Sequence, residues 1–265
     1  MLAINPNLVI GEQEIIIMAG PCSVESVEQM VKVGEVLHKC GIKVIRGGAY
    51  KPRTSPRTFQ GLGLDGLKII RSIADEFGFC VVTEALSVEQ IPLVNEYADI
   101  IQIGSRNMQH FPILWAAGEL RKPILLKRGF MNTIEETLFA VEHIMSKGND
   151  RIILCERGIR TFDSETRFTL DLSAIPILKS RCGLPVIADP SHAVGKANLV
   201  TPLSLASIAA GADGLLIECH PNPDNALSDG SQSLPLEIMP RFMDQIKKVA
   251  IAIGRTVETN DSINK

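Results

Sequence analysis

Short apolar runs rich in Val and Ile alternate with longer amphipathic stretches along almost the whole chain. The runs Ile15–Ala19, Lys43–Arg46, Cys80–Thr83, Ile100–Ile103, Pro123–Lys127, Arg151–Cys155, Pro185–Ala188 and Gly214–Glu218 predict eight strands. Each is close to continuously apolar, as expected of strands covered on both faces in a parallel sheet. Between them, stretches such as Val27–Lys39, Leu64–Phe77, Thr133–Ser146 and Leu203–Ala210 carry apolar residues at helical spacing. Ser87 before Val88 predicts a capped helix start, and Thr133 followed by Glu136 has the spacing of a capping box. Gly41, Gly78, Gly148, Gly183 and Gly211 each follow a helical run, where a left-handed residue closes a helix.

Eight strands in strict alternation with helices predict an α/β fold, a (β/α)8 TIM barrel. An open doubly wound sheet is the alternative; against it, the first strand runs into GPCSVES rather than a GxGxxG turn. No linker, low-complexity tract or composition break divides the chain, so one catalytic domain over residues 1–265 is expected. Residues 1–14 form an N-terminal extension, with Leu8–Ile10 a short strand across the bottom of the barrel, and residues 256–265 form a polar tail.

Composition narrows the function classes. A length of 265 residues suits one such barrel, and 45% hydrophobic with 22% charged residues supplies one sizeable core. A net charge of −3 speaks against a nucleic-acid partner, which needs a broad basic surface. The first residues lack the basic segment and cleavage site of a secretion signal, and no apolar run approaches the ~20 residues that span a bilayer. Cys22, Cys40, Cys80, Cys155, Cys182 and Cys219 are scattered without paired spacing, so reduced thiols in a cytoplasmic protein are expected, with no membrane partner.

In a barrel of this kind the chemistry sits at the C-terminal strand ends. Those ends read Cys22 after strand one, Arg46 through Lys51 to Arg53 and Thr54 after strand two, and Glu84 after strand three. Strands four to six lead into Gly104-Ser105-Arg106, Lys127-Arg128-Gly129 and Glu156-Arg157-Gly158; strands seven and eight lead into Asp189 with His192 and Glu218 with His220. Cations recurring after strands two, four, five and six of an acidic protein point to phosphate or carboxylate recognition, for which Arg offers a planar fork and Lys a compact charge. Taken singly, Cys22 reads as a small buried hydrophobe, His192 as a loop histidine and Asp229 as a turn residue. Glu218 is harder to place without a partner, because it ends an apolar strand. Together, Cys22, His192, Glu218 and Asp229 bring a thiolate, an imidazole and two carboxylates to strands that adjoin once a barrel closes. That mixed donor set suits a divalent transition metal, Mn, Fe, Co or Zn, better than Ca or Mg.

The strings AGPCSVES, RGGAYKPRTSPRTFQGLG, IQIGSRNMQ, LLKRG, ILCERGIRTF, TRFTLDLSAIPILK, ADPSHAVG, DGLLIECHPNP and ALSDGSQSL resemble the type I, beta-subgroup 3-deoxy-7-phosphoheptulonate synthases, from about Ile15 to Leu234. The resemblance implies a barrel enzyme of aromatic amino acid biosynthesis, the shikimate pathway. It condenses phosphoenolpyruvate with erythrose 4-phosphate and releases phosphate. It implies metal ligands at Cys22, His192, Glu218 and Asp229, and phosphoenolpyruvate contacts at Arg46, Lys51, Gly104, Ser105, Arg106, Lys127 and Arg157. Erythrose 4-phosphate contacts fall at Arg53 and Thr54, with Ser55, Arg160 and Asp229 as further candidates. Lys51, its pKa lowered by neighbouring cations, is the expected proton donor and Glu156 the expected guide of the attacking water. A sister family, the 3-deoxy-octulosonate 8-phosphate synthases, takes arabinose 5-phosphate and resembles KxNRSS where this chain reads Lys51-Pro52-Arg53-Thr54-Ser55-Pro56, so the four-carbon aldose is favoured. A non-catalytic phosphate-binding barrel is the reading from a different class. Many relatives carry an ACT-like or chorismate mutase domain; only about a dozen residues precede the first strand here, so feedback inhibition of that kind is not expected. A homotetramer is the assembly the resemblance implies.

Overall fold

A computed structural model describes residues 1–11, 13–52 and 55–257. Eight parallel strands close on themselves: β1 (Ile16–Gly20), β2 (Val44–Arg46), β3 (Cys80–Ala85), β4 (Ile100–Ile103), β5 (Ile124–Lys127), β6 (Ile152–Glu156), β7 (Val186–Ala188) and β8 (Gly214–His220). Each pairs with the next in order, and β8 pairs with both β7 and β1, which completes the barrel and removes the open-sheet alternative. Pro123 and Pro185, which have no N–H to give a ladder, stand just before β5 and β7 rather than inside them.

Helices α1 (Val27–Lys39), α2 (Leu64–Phe77), α3 (Ile91–Tyr97), α4 (Phe111–Gly118), α5 (Ile134–Met145), α6 (Ala174–Cys182), α7 (Pro190–Val194), α8 (Ala197–Ala209) and α9 (Met239–Ala252) follow the strands. Thr133 and Glu136 form the expected capping box of α5. The five glycines anticipated at helix ends all have positive φ. Two boundaries differ from the sequence reading. Ser87 makes no side-chain cap; it precedes a single 3-10 turn, Val88–Gln90, that runs into α3. Helix α8 starts at Ala197 rather than near Leu203, with Pro202 inside it. Proline reads as a helix breaker, which hid the first turns.

The strands carry two faces of different chemistry. One face, including Ile17, Ala19, Ile45, Val81, Ile101, Leu126, Leu154, Ala188 and Ile217, packs with the helices. The other, Ile16, Met18, Val44, Val82, Ile100, Leu125, Ile153, Ile187 and Leu216, fills the barrel. Leu8 and Ile10 join this inner cluster as the expected plug, on a hairpin of Leu2–Asn5 with Leu8–Ile10. Full burial of each side chain contributes about 2 kcal/mol.

The tail departs from the expectation at its start. The Ile15 N–H donates to the Thr256 carbonyl at 2.8 Å, the Thr256 N–H donates to the Gln13 carbonyl at 3.1 Å, and Val257 is buried. Residues 256 and 257 therefore belong to the barrel's lower rim; residues 258–265 lie outside the described residues.

Candidate active site

The inner face of the barrel changes character toward the C-terminal ends. Following the period-two rule, Val44 leads to Arg46, Val82 to Glu84, Leu125 to Lys127, Cys155 to Arg157, Ile187 to Asp189 and Leu216 to Glu218. An apolar filling thus gives way to a floor of charge. Arg46, Lys127, Arg157, Asp189 and Glu218 are all buried.

The four expected metal ligands converge. One donor atom each from Cys22, His192, Glu218 and Asp229 lies within 4.8 Å of the others. Cys22 Sγ donates to Asp229 Oδ2 at 3.1 Å, and His192 Nε2 stands 3.2 Å from Glu218 Oε1. Asp189 caps α7 by accepting the His192 N–H, and its other oxygen lies 2.7 Å from His192 Nδ1, so Nε2 is turned toward the quartet. Glu218 is held from two sides, by Arg46 Nη1 on Oε1 at 2.8 Å and by Gln232 Nε2 on Oε2 at 2.6 Å.

The electrostatics of the quartet set the kind of ion its residues fit. Burial works against ionisation of Glu218, but His192, Arg46 and Lys51 overcome it and hold the carboxyl below its ordinary range. Asp229, also opposed by burial, falls to about 2 through the Cys22 hydrogen bond and the His192 and Lys51 charges. Burial keeps His192 below the usual imidazole value despite Asp189 and Glu218, so its ring is a neutral donor. Burial and the Glu218 charge push Cys22 up to about 12. Two carboxylates and a neutral imidazole thus surround a thiol that their own charges prevent from ionising. A divalent cation at their centre would relieve that conflict and draw off the thiol proton, so the donor set fits such an ion.

Above the quartet opens a polar cleft. Lys51, Gly104, Ser105, Arg106, Lys127, Arg157, His192 and Asp229 line it, which brings together eight of the residues expected from sequence. Two buried polar atoms, Ser105 Oγ and Arg157 Nη1, have no partner among the described residues. Burial, with Arg167 and Arg106 nearby, lowers the Arg157 pKa in spite of Asp189. An incompletely compensated guanidinium beside an unsatisfied hydroxyl is the demand an anion meets.

Other expected residues stand elsewhere. Cys22, Arg46 and Glu218 lie beneath the cleft; Arg46 gives Nη1 to Glu218 and to the Pro21 carbonyl at 2.7 Å rather than facing the open space. Glu156 faces the outer side of β6. Arg128 donates to its Oε2 at 2.9 Å and the Gly158 N–H to its Oε1 at 2.7 Å, so it is not placed to guide water in the cleft. Ser55 and Arg160 are exposed and do not line the cleft. Arg53 and Thr54 lie outside the described residues. The Lys51 ammonium is also not lowered as expected. Burial favours the neutral amine, but the Cys22 sulfur, 2.9 Å away, and Glu218 outweigh burial and Arg46, and the pKa is raised.

Five lining residues carried no assigned contact in the sequence: Pro52, Glu84, Phe130, Arg167 and Phe168. Glu84 was legible, being the inward position after Val82. Phe130 follows β5, and Arg167 and Phe168 lie in the segment between β6 and α6; Phe130 and Phe168 stack at 5.5 Å, and the Arg157 guanidinium lies 4.3 Å from the Phe168 ring centre. Gly158, with φ 90°, permits that packing: a Cβ there would stand 2.8 Å from the Phe168 Cβ.

Residues 2–255 match the DAHP synthetase I family. The chain belongs to that family. It is 56% identical over 245 residues to a phospho-2-dehydro-3-deoxyheptonate aldolase of Thermotoga maritima, covering 92% of this chain and 72% of that protein. A crystal structure of a DAHP synthase from the same organism superposes with a TM-score of 0.95 at 53% identity, covering 97% of this chain and 76% of the other. A truncated form of the T. maritima enzyme, 3-deoxy-D-arabino-heptulosonate 7-phosphate synthase, superposes at 0.91 with 50% identity, covering 97% and 95%. A 2-dehydro-3-deoxyphosphooctonate aldolase of Syntrophotalea carbinolica is 31% identical over 265 residues, covering 93% and 95%.

Proposed function

We infer that this chain is a 3-deoxy-D-arabino-heptulosonate 7-phosphate synthase, joining phosphoenolpyruvate to erythrose 4-phosphate with release of inorganic phosphate. The observation that carries the reading is the cleft itself: Arg106, Lys127 and Arg157 converge beside the unsatisfied Ser105 Oγ, directly above the Cys22, His192, Glu218 and Asp229 quartet. A simple phosphate-binding barrel has no use for a thiol-containing metal site beneath its anion pocket.

Arg106, Lys127 and Arg157 hold the phosphate and carboxylate of phosphoenolpyruvate, fixing which face of its double bond is open. Cys22, His192, Glu218 and Asp229 would hold a divalent transition metal (Mn, Fe, Co or Zn), which supplies Lewis-acid activation of the aldose aldehyde when bound. Carbon 3 of the enolpyruvate attacks the aldehyde carbon, forming the new C–C bond. Lys51, kept as an ammonium and placed between cleft and quartet, protonates the oxygen that gains charge. Water adds to carbon 2, and the C–O bond to phosphate then breaks. Glu84, the inner-face carboxylate lining the cleft, takes over from Glu156 as the group able to accept a proton from that water. Holding two small anions in register supplies much of the acceleration. A homotetramer is the assembly we expect, and sedimentation measures it.

The 56% identity to a heptulosonate enzyme against 31% to an octulosonate enzyme favours the four-carbon aldose. The test is phosphate release from phosphoenolpyruvate with erythrose 4-phosphate or arabinose 5-phosphate. Turnover with erythrose 4-phosphate is expected; turnover with arabinose 5-phosphate alone reassigns the substrate, and binding without release makes the chain a receptor.

A further inference from the structure

Three of the four quartet residues stand on or beside regular elements: Glu218 within β8, His192 within α7 and Cys22 just past β1. Asp229 stands on no strand or α-helix. It directly precedes a single 3-10 turn, Gly230–Gln232, in the loop after β8, and it is the one non-glycine residue among those described with positive φ, 48°. A left-handed aspartate in a loop holds a fixed position only if its surroundings impose one.

Those surroundings are two layers of polar contact between the Cys22 loop and the Asp229 loop. In the inner layer, the hydroxyls of Ser23 and Ser228, the residues directly after Cys22 and directly before Asp229, meet at 2.6 Å, and both are buried. In the outer layer, Glu25 Oε1 accepts the Leu227 N–H at 2.9 Å and the Ser23 hydroxyl at 3.3 Å. His220 closes the network from β8. Its Nδ1 accepts the Asn222 N–H at 3.0 Å, which leaves Nε2 as the ring donor, 3.4 Å from Glu25 Oε2. Gln29 of α1 fixes the near side, accepting the Glu25 N–H at 2.9 Å and donating to the Ser23 carbonyl at 3.2 Å. None of Ser23, Glu25, His220 and Ser228 lines the cleft or belongs to the quartet.

We propose that Ser23, Ser228 and Glu25, backed by His220, are positioning residues that clasp the two loops and set the separation of Cys22 and Asp229 for a bound divalent cation. The clasp acts on the ion site and leaves the anion cleft alone, because Arg106, Lys127 and Arg157 stand on the opposite strands, after β4, at the end of β5 and after β6. Released from it, Asp229 relaxes toward backbone conformations that carry its carboxylate away from the thiol. The inference rests on the metal reading given above.

The measurement is Co²⁺ binding to the full chain, followed by thiolate-to-cobalt charge-transfer absorption and by competition with a chelator. Ser23→Ala, Ser228→Ala and Glu25→Ala are expected to raise the dissociation constant about 10- to 100-fold, as other outer partners of metal ligands do. At saturating Co²⁺ their kcat and their KM for phosphoenolpyruvate return to parent values, a split that general destabilisation would not produce. Glu25→Gln keeps an acceptor for the Leu227 N–H and is expected to bind closer to the parent than Glu25→Ala. Unchanged dissociation constants in the alanine variants, a deficit that persists at saturating metal, or equal losses in Glu25→Gln and Glu25→Ala would each overturn the clasp. Should the alanine variants fail to fold, Glu25→Gln alone decides, because it must stay near the parent. A parent protein that takes up no Co²⁺ sinks the metal reading instead, which separates the two failures.

Discussion

Asp189 grips His192 at two points: Oδ1 accepts the His192 backbone N–H at 2.9 Å, and Oδ2 lies 2.7 Å from the ring Nδ1. The same Oδ2 accepts from Lys127 Nζ at 2.5 Å. One fully buried carboxylate therefore orients a quartet ligand and anchors a cation of the cleft. Asp189→Asn keeps the shape and the helix cap but removes the charge. Metal affinity is expected to fall about 10- to 100-fold, and KM for phosphoenolpyruvate to rise with it because Lys127 loses its counter-charge. Metal titration alongside steady-state kinetics checks this; a change in only one of the two would show that Asp189 does not couple the sites.

Exhaustive chelation is expected to abolish phosphate release and Mn²⁺ to restore it. The barrel core is continuous without the quartet, so the stripped protein stays folded. Metal should raise its stability by mass action, about 2.7 kcal/mol at a hundredfold excess over the dissociation constant. Calorimetric melting against added Mn²⁺ reads this directly. Full turnover after chelation, with no metal detected, would remove the ion from the mechanism.

Gly104 begins the turn that presents Ser105 and Arg106, and its φ of −72° is open to any residue. Space forbids a side chain instead: a Cβ would stand 2.0 Å from Glu84 Oε1. Gly104→Ala must displace Glu84 or the turn itself. A shift on the order of 1 Å costs roughly a hundredfold in rate, so kcat/KM should fall by about that factor while the melting temperature barely moves. Equal loss of stability and activity would mean the turn is structural rather than part of the site.

How much of this was legible depended on parity and on contact. The barrel could be read because its strands are apolar on both faces and its glycines punctuate the helix ends. The quartet could be read because Cys22, His192 and Glu218 follow directly from strand ends. Parity also contained a correction that the strand-end reading passed over: Glu156 shares its face with Ile152 and Leu154, so it had to point toward the helices. Other features have no local signature. Arg167 and Phe168 reach the cleft only through the fold of the loop after β6, Pro202 hides the first turns of α8, and the raised pKa of Lys51 follows from its distance to a sulfur 29 residues away.

The outward-facing pair behind the cleft gives the last prediction. Arg128 Nη1 donates to Glu156 at 2.9 Å and to Asp171 at 3.0 Å, joining β5, β6 and the segment before α6. Its sequence neighbour Lys127 and Glu156's neighbour Arg157 are both cleft cations. Burial keeps Glu156 above the ordinary carboxyl range even though Arg128 and the Gly158 N–H pull it down. Arg128→Met would leave that buried carboxylate with the Gly158 N–H as its remaining donor, at a cost of about 3–5 kcal/mol. For a chain of this length that lowers the melting temperature by roughly 6–15 °C. The sign with pH follows from the direction of the shift. A carboxyl whose folded pKa exceeds its unfolded value, about 4.3 for Glu, favours the folded state in its protonated form. The deficit of Arg128→Met should therefore be smallest below that value and reach its full size once the pH exceeds the raised folded pKa. Adding Glu156→Gln removes the stranded charge and should recover part of the loss at neutral pH, with a favourable coupling energy in the double-mutant cycle. Glu156→Gln alone should leave the pH profile of kcat unchanged; a lost or shifted limb in that profile would return Glu156 to the chemistry.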